Sequence, residues 1–178
     1  RNDPIATLAQ ARLLLKPDGV LLAALLGGES LAELRTCLAE AEIETTPGLS
    51  PRVAPMGEIR ELGALLQRAG FALPVADSER LDLWHSSPLH LMQEIRAVGE
   101  SNAMTDRKQS FLRRDTLGRC LALYQERFSR PDGKTRATLE IVTLTGWAPA
   151  AGQQQPLRPG SAAARLADAL GTEERSAD

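Results

Sequence analysis

The sequence contains one unbroken apolar run, Val20-Leu21-Leu22-Ala23-Ala24-Leu25-Leu26, with turn-forming residues on both sides. Lys16-Pro17-Asp18-Gly19 precedes the run, and Gly27-Gly28 follows it. An apolar segment of this length that does not alternate with polar residues is typical of a strand covered on both faces in a parallel sheet. We therefore predict an interior β-strand here, paired with a neighbour that runs in the same direction.

The segments around this strand have the periodicity and the end signals of helices. Asp3-Pro4 predicts an N-cap and a first-turn proline, for a helix that extends to about Leu15. Ser30, with Glu33 three residues later, predicts a capping box for the next helix. Further helices are predicted at 57–69, 88–98 and 116–128, and strands at 71–75, 80–84 and 138–147. The α-β-α order at the start indicates the α/β class and a doubly wound sheet.

Composition narrows the class of protein. The 178 residues fit one domain, and the net charge of −2 with 3% aromatic residues argues against a nucleic-acid ligand. The longest apolar run is far shorter than the roughly 20 residues that a membrane-spanning helix needs. Cys37 and Cys120 lack C-x-x-C spacing, which predicts free thiols in a reducing compartment. We therefore expect a cytoplasmic protein without a membrane span.

A glycine-rich cofactor loop is missing from the sequence. No two glycines lie two positions apart, so a G-x-G cradle cannot form. The first residue is Arg1 rather than Met, and nothing before residue 20 offers a parallel partner strand. We expect the first half of the sheet, with its cofactor loop, to lie outside this chain.

Several motifs resemble class I S-adenosylmethionine-dependent methyltransferases. The segment Leu15-Lys16-Pro17-Asp18-Gly19-Val20-Leu21 is similar to the L-K-P-G-G-x-L turn before the fifth strand of that family. Four more segments, 26–35, 87–92, 99–102 and 114–117, resemble a subgroup of it. That subgroup comprises the bacterial relatives of the mitochondrial complex I assembly factor with a methyltransferase fold. The malonyl-carrier-protein O-methyltransferases of biotin synthesis are more distantly similar.

The resemblance implies a particular fold. It implies that residues 1–149 form the C-terminal half of a Rossmann-like methyltransferase sheet, which ends in an antiparallel hairpin of the strands at 71–84 and 138–147. A helical insertion at 85–136 would cover the active site and select the substrate. Residues 150–178 shift in composition to Gly, Gln, Pro, Ser and Ala, which predicts a poorly packed tail with at most a short helix at 162–170.

The resemblance also implies a function and a cofactor. S-adenosylmethionine would be the cofactor, and the leading hypothesis is methyl transfer to an acceptor that the sequence does not identify. Two alternatives remain open: an assembly-factor role, with arginine hydroxylation or scaffold binding of a respiratory subunit, and carboxyl methylation of an acyl-carrier substrate. The expected partners are a protein substrate or an acyl carrier. A homodimer in which two chains complete each other's sheets is a further expectation.

Four residues are the candidates for substrate binding. Ligands of doubly wound sheets bind beyond the carboxyl ends of the strands, where Gly28 and Glu29 follow the apolar run. Arg35 lies one turn into the next helix and could pair with Glu29 or with a substrate carboxylate. Asn102 follows a helix and could present its amide to a ligand. Local roles remain open for them: a tight turn for the glycine, a solvated surface for Arg35 and a helix stop for Asn102. Catalytic and cofactor-binding residues are not assigned.

The histidines and the distribution of charge in the sequence do not predict a further binding site. His85 and His90 are the two histidines, and their spacing does not suggest convergence with a carboxylate, so no metal site is predicted. Residues 105–136 carry nine Lys or Arg against four Asp or Glu. This excess could dock an acidic partner, but a solvated helix face is the favoured interpretation.

Overall fold

The computed structural model describes residues 3–154 and 166–172, and within these ranges it has six helices and three strands. This confirms the mixed α/β class. The elements in chain order are α1 (Pro4–Leu14), β1 (Val20–Leu26), α2 (Ala32–Thr45), α3 (Ile59–Arg68), β2 (Ala72–His85), α4 (Pro88–Ala97), α5 (Arg114–Phe128), β3 (Thr135–Trp147) and α6 (Leu166–Leu170).

The three strands form one sheet in the order β1-β3-β2, and β3 is antiparallel to both neighbours. The antiparallel pairing predicted for the late strands is therefore confirmed, and α4 and α5 lie between them in the sequence. The two strand segments predicted at 71–75 and 80–84 form one continuous strand. Its irregularity lies between Ala72 and Val75. Because β3 is central, it holds β1 and β2 in one layer.

The environment of β1 differs from the prediction. Within the described residues β1 is an edge strand that pairs only with β3. Leu21 and Leu25 pack against the core that α1 and α3 build, but Leu22 is 71% exposed and Val20 is 51% exposed. The expected burial of both faces is wrong here, because no described element covers the second face. The parallel neighbour, and with it the half of a doubly wound sheet, stays a prediction.

Two hydrophobic clusters hold the elements together. The first joins α1 and α3 to the sheet around Leu66, Val142 and Leu144. The second joins α2, α4, α5 and the start of β3, with Tyr124 fully buried at its centre. The Tyr124 hydroxyl donates a hydrogen bond to the Arg136 carbonyl oxygen over 2.7 Å. The second cluster matters for function, because two of its elements, α2 and α4, also line the cavity described below.

Of the two N-terminal caps that the sequence predicts, one is correct. Asp3 caps α1, since its carboxylate accepts hydrogen bonds from the Ile5 and Ala6 amides. The capping box of Ser30 and Glu33 is wrong. The N-cap of α2 is Leu31 in the left-handed region, at φ 56°.

Ser30 and Glu33 instead attach the start of α2 to β3. The Ser30 hydroxyl donates to the Glu140 carbonyl oxygen and accepts from the Glu140 amide, over 3.1 and 2.9 Å. The buried Glu33 carboxylate accepts from the amide and hydroxyl of Thr138, over 3.0 and 2.6 Å. The side chains of Ser30 and Glu33 therefore bond to β3, more than a hundred residues away, instead of to the amides at the start of α2.

The C-terminal region is described only in part. Residues 166–170 of the short helix predicted at 162–170 form α6, while residues 155–165 and 173–178 of the predicted tail lie outside the described residues. Among the helices described here, none has the length and apolar character to cross a bilayer.

Candidate functional site

A cavity of about 580 Å³ opens beyond the carboxyl end of β1, between α2, α4 and the loop at 52–56. Its wall is mainly aliphatic and thioether side chains, and its polar groups come from a few residues at the rim. An apolar wall with few polar groups is the usual character of a small-ligand site. The apolar lining includes Leu26, Leu31, Leu34, Leu38, Val53, Met56, Met92, Ile95 and Met104, and the polar lining is Arg52, Arg96, Glu100, Ser101 and Asn102.

Asn102 is the one predicted substrate-binding residue that lines this cavity. Its amide nitrogen donates to the Pro51 carbonyl oxygen over 2.8 Å, and its amide oxygen accepts from the Met104 amide over 3.1 Å. The side chain therefore joins two loops at the rim. Both the nitrogen and the oxygen of its side-chain amide therefore already have a partner within the chain.

Gly28 and Glu29 border a different and shallower depression, which also includes Arg80 and Arg136. Glu29 Oε2 lies 2.8 Å from Arg80 Nη1, and both side chains are about half exposed. An exposed pair of this kind contributes little to stability, because water screens both charges. Glu29 is thus available to a ligand at the surface, but outside the cavity that Asn102 lines.

Arg35 does not pair with Glu29, contrary to one interpretation of the sequence. Its guanidinium donates to the carbonyl oxygens of Gly28 and Ser30, over 3.3 and 3.0 Å, and so holds the turn after β1. It lines a third depression, which shares Arg52 and Val53 with the cavity but does not include Asn102, Gly28 or Glu29. The four predicted residues therefore do not converge on one site, and their assignment to substrate binding stays a prediction.

Glu42 and Arg52 are residues that the sequence analysis missed. The Glu42 carboxylate, almost fully buried, accepts from Arg52 Nη2 and from the Ser50 amide, each over 2.8 Å. Burial alone would raise the pKa of Glu42, but the bonds from Ser50 and Arg52 and the charge of Arg52 lower it below its ordinary value. This pair fixes the proline-rich loop that forms one cavity wall. The sequence gives no signal for it, since the partners meet only when the loop folds back on α2.

The two thiols are not nucleophiles in this structure. Cys37 and Cys120 are free and fully buried, and burial raises the pKa of Cys37 to about 11 and that of Cys120 to about 12. Only the thiolate reacts with disulfide reagents. At pH 8 we expect Ellman's reagent to label neither thiol in the folded protein and both in denaturant, as measured by absorbance. Rapid labelling of the folded protein would contradict this burial.

The structure brings His85, His90 and Glu94 together, which corrects the expectation that no such cluster forms. His85 Nδ1 lies 2.7 Å from Glu94 Oε2, and His90 Nδ1 lies 3.4 Å from Glu94 Oε1. His85 ends β2 and His90 lies in the first turn of α4, so the short turn between them folds one imidazole toward the other. The signal that could have found the cluster is the spacing of four between His90 and Glu94, which places both on one helix face.

The positive charge of residues 105–136 is largely offset by neighbours. Several arginines of this stretch form ion pairs with carboxylates, and Arg130 lies over the Trp84 ring at 3.3 Å from its centre. The ion pairs are Arg113–Asp115, Arg119–Glu44, Arg127–Glu40 and Arg136–Glu33. Three of these carboxylates belong to α2, so the arginines attach α5 and β3 to α2. Docking of an acidic partner on this stretch stays a prediction.

The described residues do not fit S-adenosylmethionine by themselves. The glycine pair after β1 offers no substitute for the glycine-rich loop that the sequence lacks, because a Cβ at Gly27 would lie 2.5 Å from the Glu140 side chain, and one at Gly28 would lie 2.7 Å from Glu58 Oε1. Carboxylates of this chain therefore fill the space beside both glycines. An anionic or carboxylate-bearing cofactor would meet like charge there.

Comparison with known proteins gives relatives of two kinds. No protein-family model matches the chain. The "Arginine-hydroxylase NDUFAF5, mitochondrial" of Danio rerio is 38% identical over 94% of this chain and 52% of its own length. The human protein of the same name is 38% identical over 90% of this chain and 46% of its own length. The "Malonyl-[acyl-carrier protein] O-methyltransferase" of Laribacter hongkongensis is 35% identical over 89% of this chain and 51% of its own length.

The chain therefore spans about half the length of the curated relatives it matches. Among solved structures, the YcgJ protein of Bacillus subtilis is similar over 84% of this chain and 59% of its own, with 10% identity and a TM-score of 0.44, which is too low to bear on the fold. The sequence relatives confirm the resemblance that the motifs indicated: the chain is homologous to the NDUFAF5 arginine-hydroxylases and to the malonyl-[acyl-carrier protein] O-methyltransferases.

Proposed function

We propose that this chain belongs to an S-adenosylmethionine-dependent methyltransferase-type enzyme and that its cavity receives the methyl acceptor. The observation that carries the proposal is the cavity of about 580 Å³ at the carboxyl end of β1, the place where doubly wound folds bind ligands. Homology to proteins named O-methyltransferases supports it. In such enzymes the protein contributes mainly by positioning the acceptor, so a shaped apolar cavity is the part that this chain would supply.

The cavity favours an acceptor with an apolar body and a polar or anionic end. Leu34, Met92 and Ile95 offer apolar surface, while Arg96 offers positive charge and Arg52, whose charge is paired with Glu42, offers a donor. Arg52 Nε is buried and has no hydrogen-bond partner among the described residues. An acyl chain on a carrier, or a side chain of a protein substrate, has this chemistry.

The methyl donor would need residues other than those described here. Since Glu140 and Glu58 fill the space beside the glycine pair, we propose that S-adenosylmethionine is held chiefly by a part of the relatives' length that this chain does not match, or by a second protomer. When bound, the donor would supply the methyl group. Residues of this chain would hold the acceptor and exclude water from it.

Arginine hydroxylation is the second candidate function. The observation that favours it is the higher identity to proteins named arginine-hydroxylases, 38% against 35% and 32% for the O-methyltransferases. A protein substrate is the matching partner. A homodimer remains a further proposal, supported by the edge of β1 that pairs with no other described strand and by the exposed Leu22 on β1 itself.

One experiment separates these functions. The full-length protein is titrated with S-adenosylmethionine by calorimetry and then incubated with candidate carriers and protein partners, which are analysed by mass spectrometry. A methyl mass on the acceptor supports the leading proposal, and one added oxygen on an arginine supports the second. Absence of donor binding would contradict the first.

A bulky residue in the cavity is expected to weaken acceptor binding. Ala103 lines the cavity on an exposed loop, so Ala103→Trp adds a ring there at little cost in stability. We expect KM for the acceptor to rise about tenfold, because lost apolar contact of this size is worth 1–3 kcal/mol. The matched control is Ala97→Trp, exposed on α4 and outside the lining. Equal kinetics of the two variants would place the acceptor elsewhere.

A further inference from the structure

We propose that His85, His90 and Glu94 form a binding site for a divalent first-row transition-metal ion such as Zn²⁺. The three side chains can each offer one ligand atom, and these atoms all lie within 4.8 Å of one another. Two imidazoles and one carboxylate are a donor set that suits Zn²⁺ and its first-row neighbours rather than Mg²⁺ or Ca²⁺. The inference rests on this geometry and is independent of the proposed reaction.

The distances need only a small adjustment to hold an ion. Ligand atoms about 2.1 Å from a tetrahedral ion lie about 3.4 Å from one another. His90 Nδ1 and Glu94 Oε1 already lie 3.4 Å apart, while His85 Nδ1 and Glu94 Oε2 lie 2.7 Å apart. The Glu94 side chain is 48% exposed and therefore has room to rotate away from His85. An ion between the three groups would also remove the need for that short contact.

The backbone holds the two imidazoles on rigid elements. His85 is the last residue of β2, which pairs with β3 along its length. His90 lies in the first turn of α4, where the Ser87 hydroxyl caps the helix by accepting from the His90 amide over 3.1 Å. Glu94 follows one turn later on the same face. Ligands on helices and strands keep their separation better than ligands on loops.

His85 has an environment that a purely structural histidine would not need. Its side chain is 10% exposed, and its Nε2 is buried without a hydrogen-bond partner among the described residues. Buried ring nitrogens in native proteins are nearly always paired. With Nδ1 as the ligand atom, Nε2 is the nitrogen that donates to an outer partner such as a water, as in most metal-bound histidines. The Nδ1 atom faces only Glu94. Neither nitrogen is therefore committed to a backbone partner that would explain the burial.

The site is open on one side. His90 and Glu94 are each 48% exposed, so the ion would keep positions for water or for another ligand. Three protein ligands with an open position are typical of catalytic metal sites, whereas structural zinc sites have four protein ligands. Two neutral imidazoles and one carboxylate around a divalent ion leave a net charge of about +1 at the site. This charge would favour an anionic fourth ligand.

The test uses the fact that the chain has two histidines, so any imidazole signal reports this cluster. The 178-residue chain is titrated with Zn²⁺ by calorimetry and with Co²⁺ by visible absorption, and imidazole ¹⁵N signals are recorded at each step. We expect one ion per chain, shifts of both imidazoles, and d–d bands with Co²⁺. Binding should weaken about tenfold or more in His90→Ala and in Glu94→Gln, since even the loss of an outer partner costs that much.

Controls separate this site from other metal binding. Glu126→Gln makes the same exposed change on α5, away from the histidines, and is expected to bind like the unmodified protein. His85→Ala is not needed for this test, because His90 and Glu94 are exposed and their variants decide the question alone. The proposal would be overturned by the absence of binding or by binding without imidazole shifts. It would also be overturned if the His90→Ala and Glu94→Gln variants bound the ion as tightly as the unmodified protein.

Discussion

Replacing Glu33 by alanine is expected to lower the free energy of unfolding by about 3–4 kcal/mol, because it leaves buried groups of β3 without a partner. The carboxylate accepts from the amide and hydroxyl of Thr138 and lies 3.2 Å from Arg136 Nε. Thr138 is itself buried, so water cannot replace the lost bonds. Urea unfolding measures the change.

The matched control for this substitution is Glu44→Ala on the same helix. Glu44 is about two-fifths exposed and pairs with Arg119 at the surface, so its removal is expected to change stability little. A similar loss in both variants would show that helix propensity, rather than the attachment of α2 to β3, explains the effect.

The Glu33 contribution should also depend on pH. Burial alone would raise the pKa of Glu33, but the bonds from Thr138 and the charge of Arg136 lower it below the ordinary 4.5. The contribution is therefore fully present above pH 4.5 and is lost as pH falls through the lower pKa of the folded state. The difference in unfolding free energy between the unmodified protein and Glu33→Gln should shrink in acid. A difference that stays constant into acid would contradict this.

Replacing Tyr124 by alanine is expected to lower the free energy of unfolding by about 3–5 kcal/mol, the usual effect of removing a large aromatic side chain from a core. Tyr124 is fully buried, and its ring packs edge-on against Phe128 with centres 5.5 Å apart. Tyr124→Phe keeps the ring and loses only the bond to the Arg136 carbonyl, so it should cost about 1–2 kcal/mol.

The contrast between these variants tests which part of Tyr124 matters. Phe111→Ala is the control, since Phe111 is 98% exposed and its removal should leave the thermal midpoint nearly unchanged. Equal losses in Tyr124→Phe and Tyr124→Ala would assign the stability to the hydrogen bond rather than to packing. Because Tyr124 lies in the cluster that joins α2, α4 and α5, the alanine variant should also disturb the cavity wall.

The sequence by itself determined the local elements and the homology. The run from Val20 to Leu26 forms a strand and Asp3 caps α1, because each depends on residues only a few positions apart. The motifs identified relatives that the comparisons confirmed. Periodicity and short motifs are properties of neighbouring residues, so the sequence contains them, whereas the cap predicted at Ser30 failed because β3 binds the same side chains.

Only the tertiary structure decided which distant groups meet. It placed β3 at the centre of the sheet, and it paired Ser30 and Glu33 with β3 instead of with each other's backbone in a capping box. It also placed Asn102 and Gly28 in separate depressions. It also joined His85 to Glu94 across a turn. Each of these contacts depends on how two segments pack, and the free energy of packing is shared among many side chains rather than encoded in the spacing of a few.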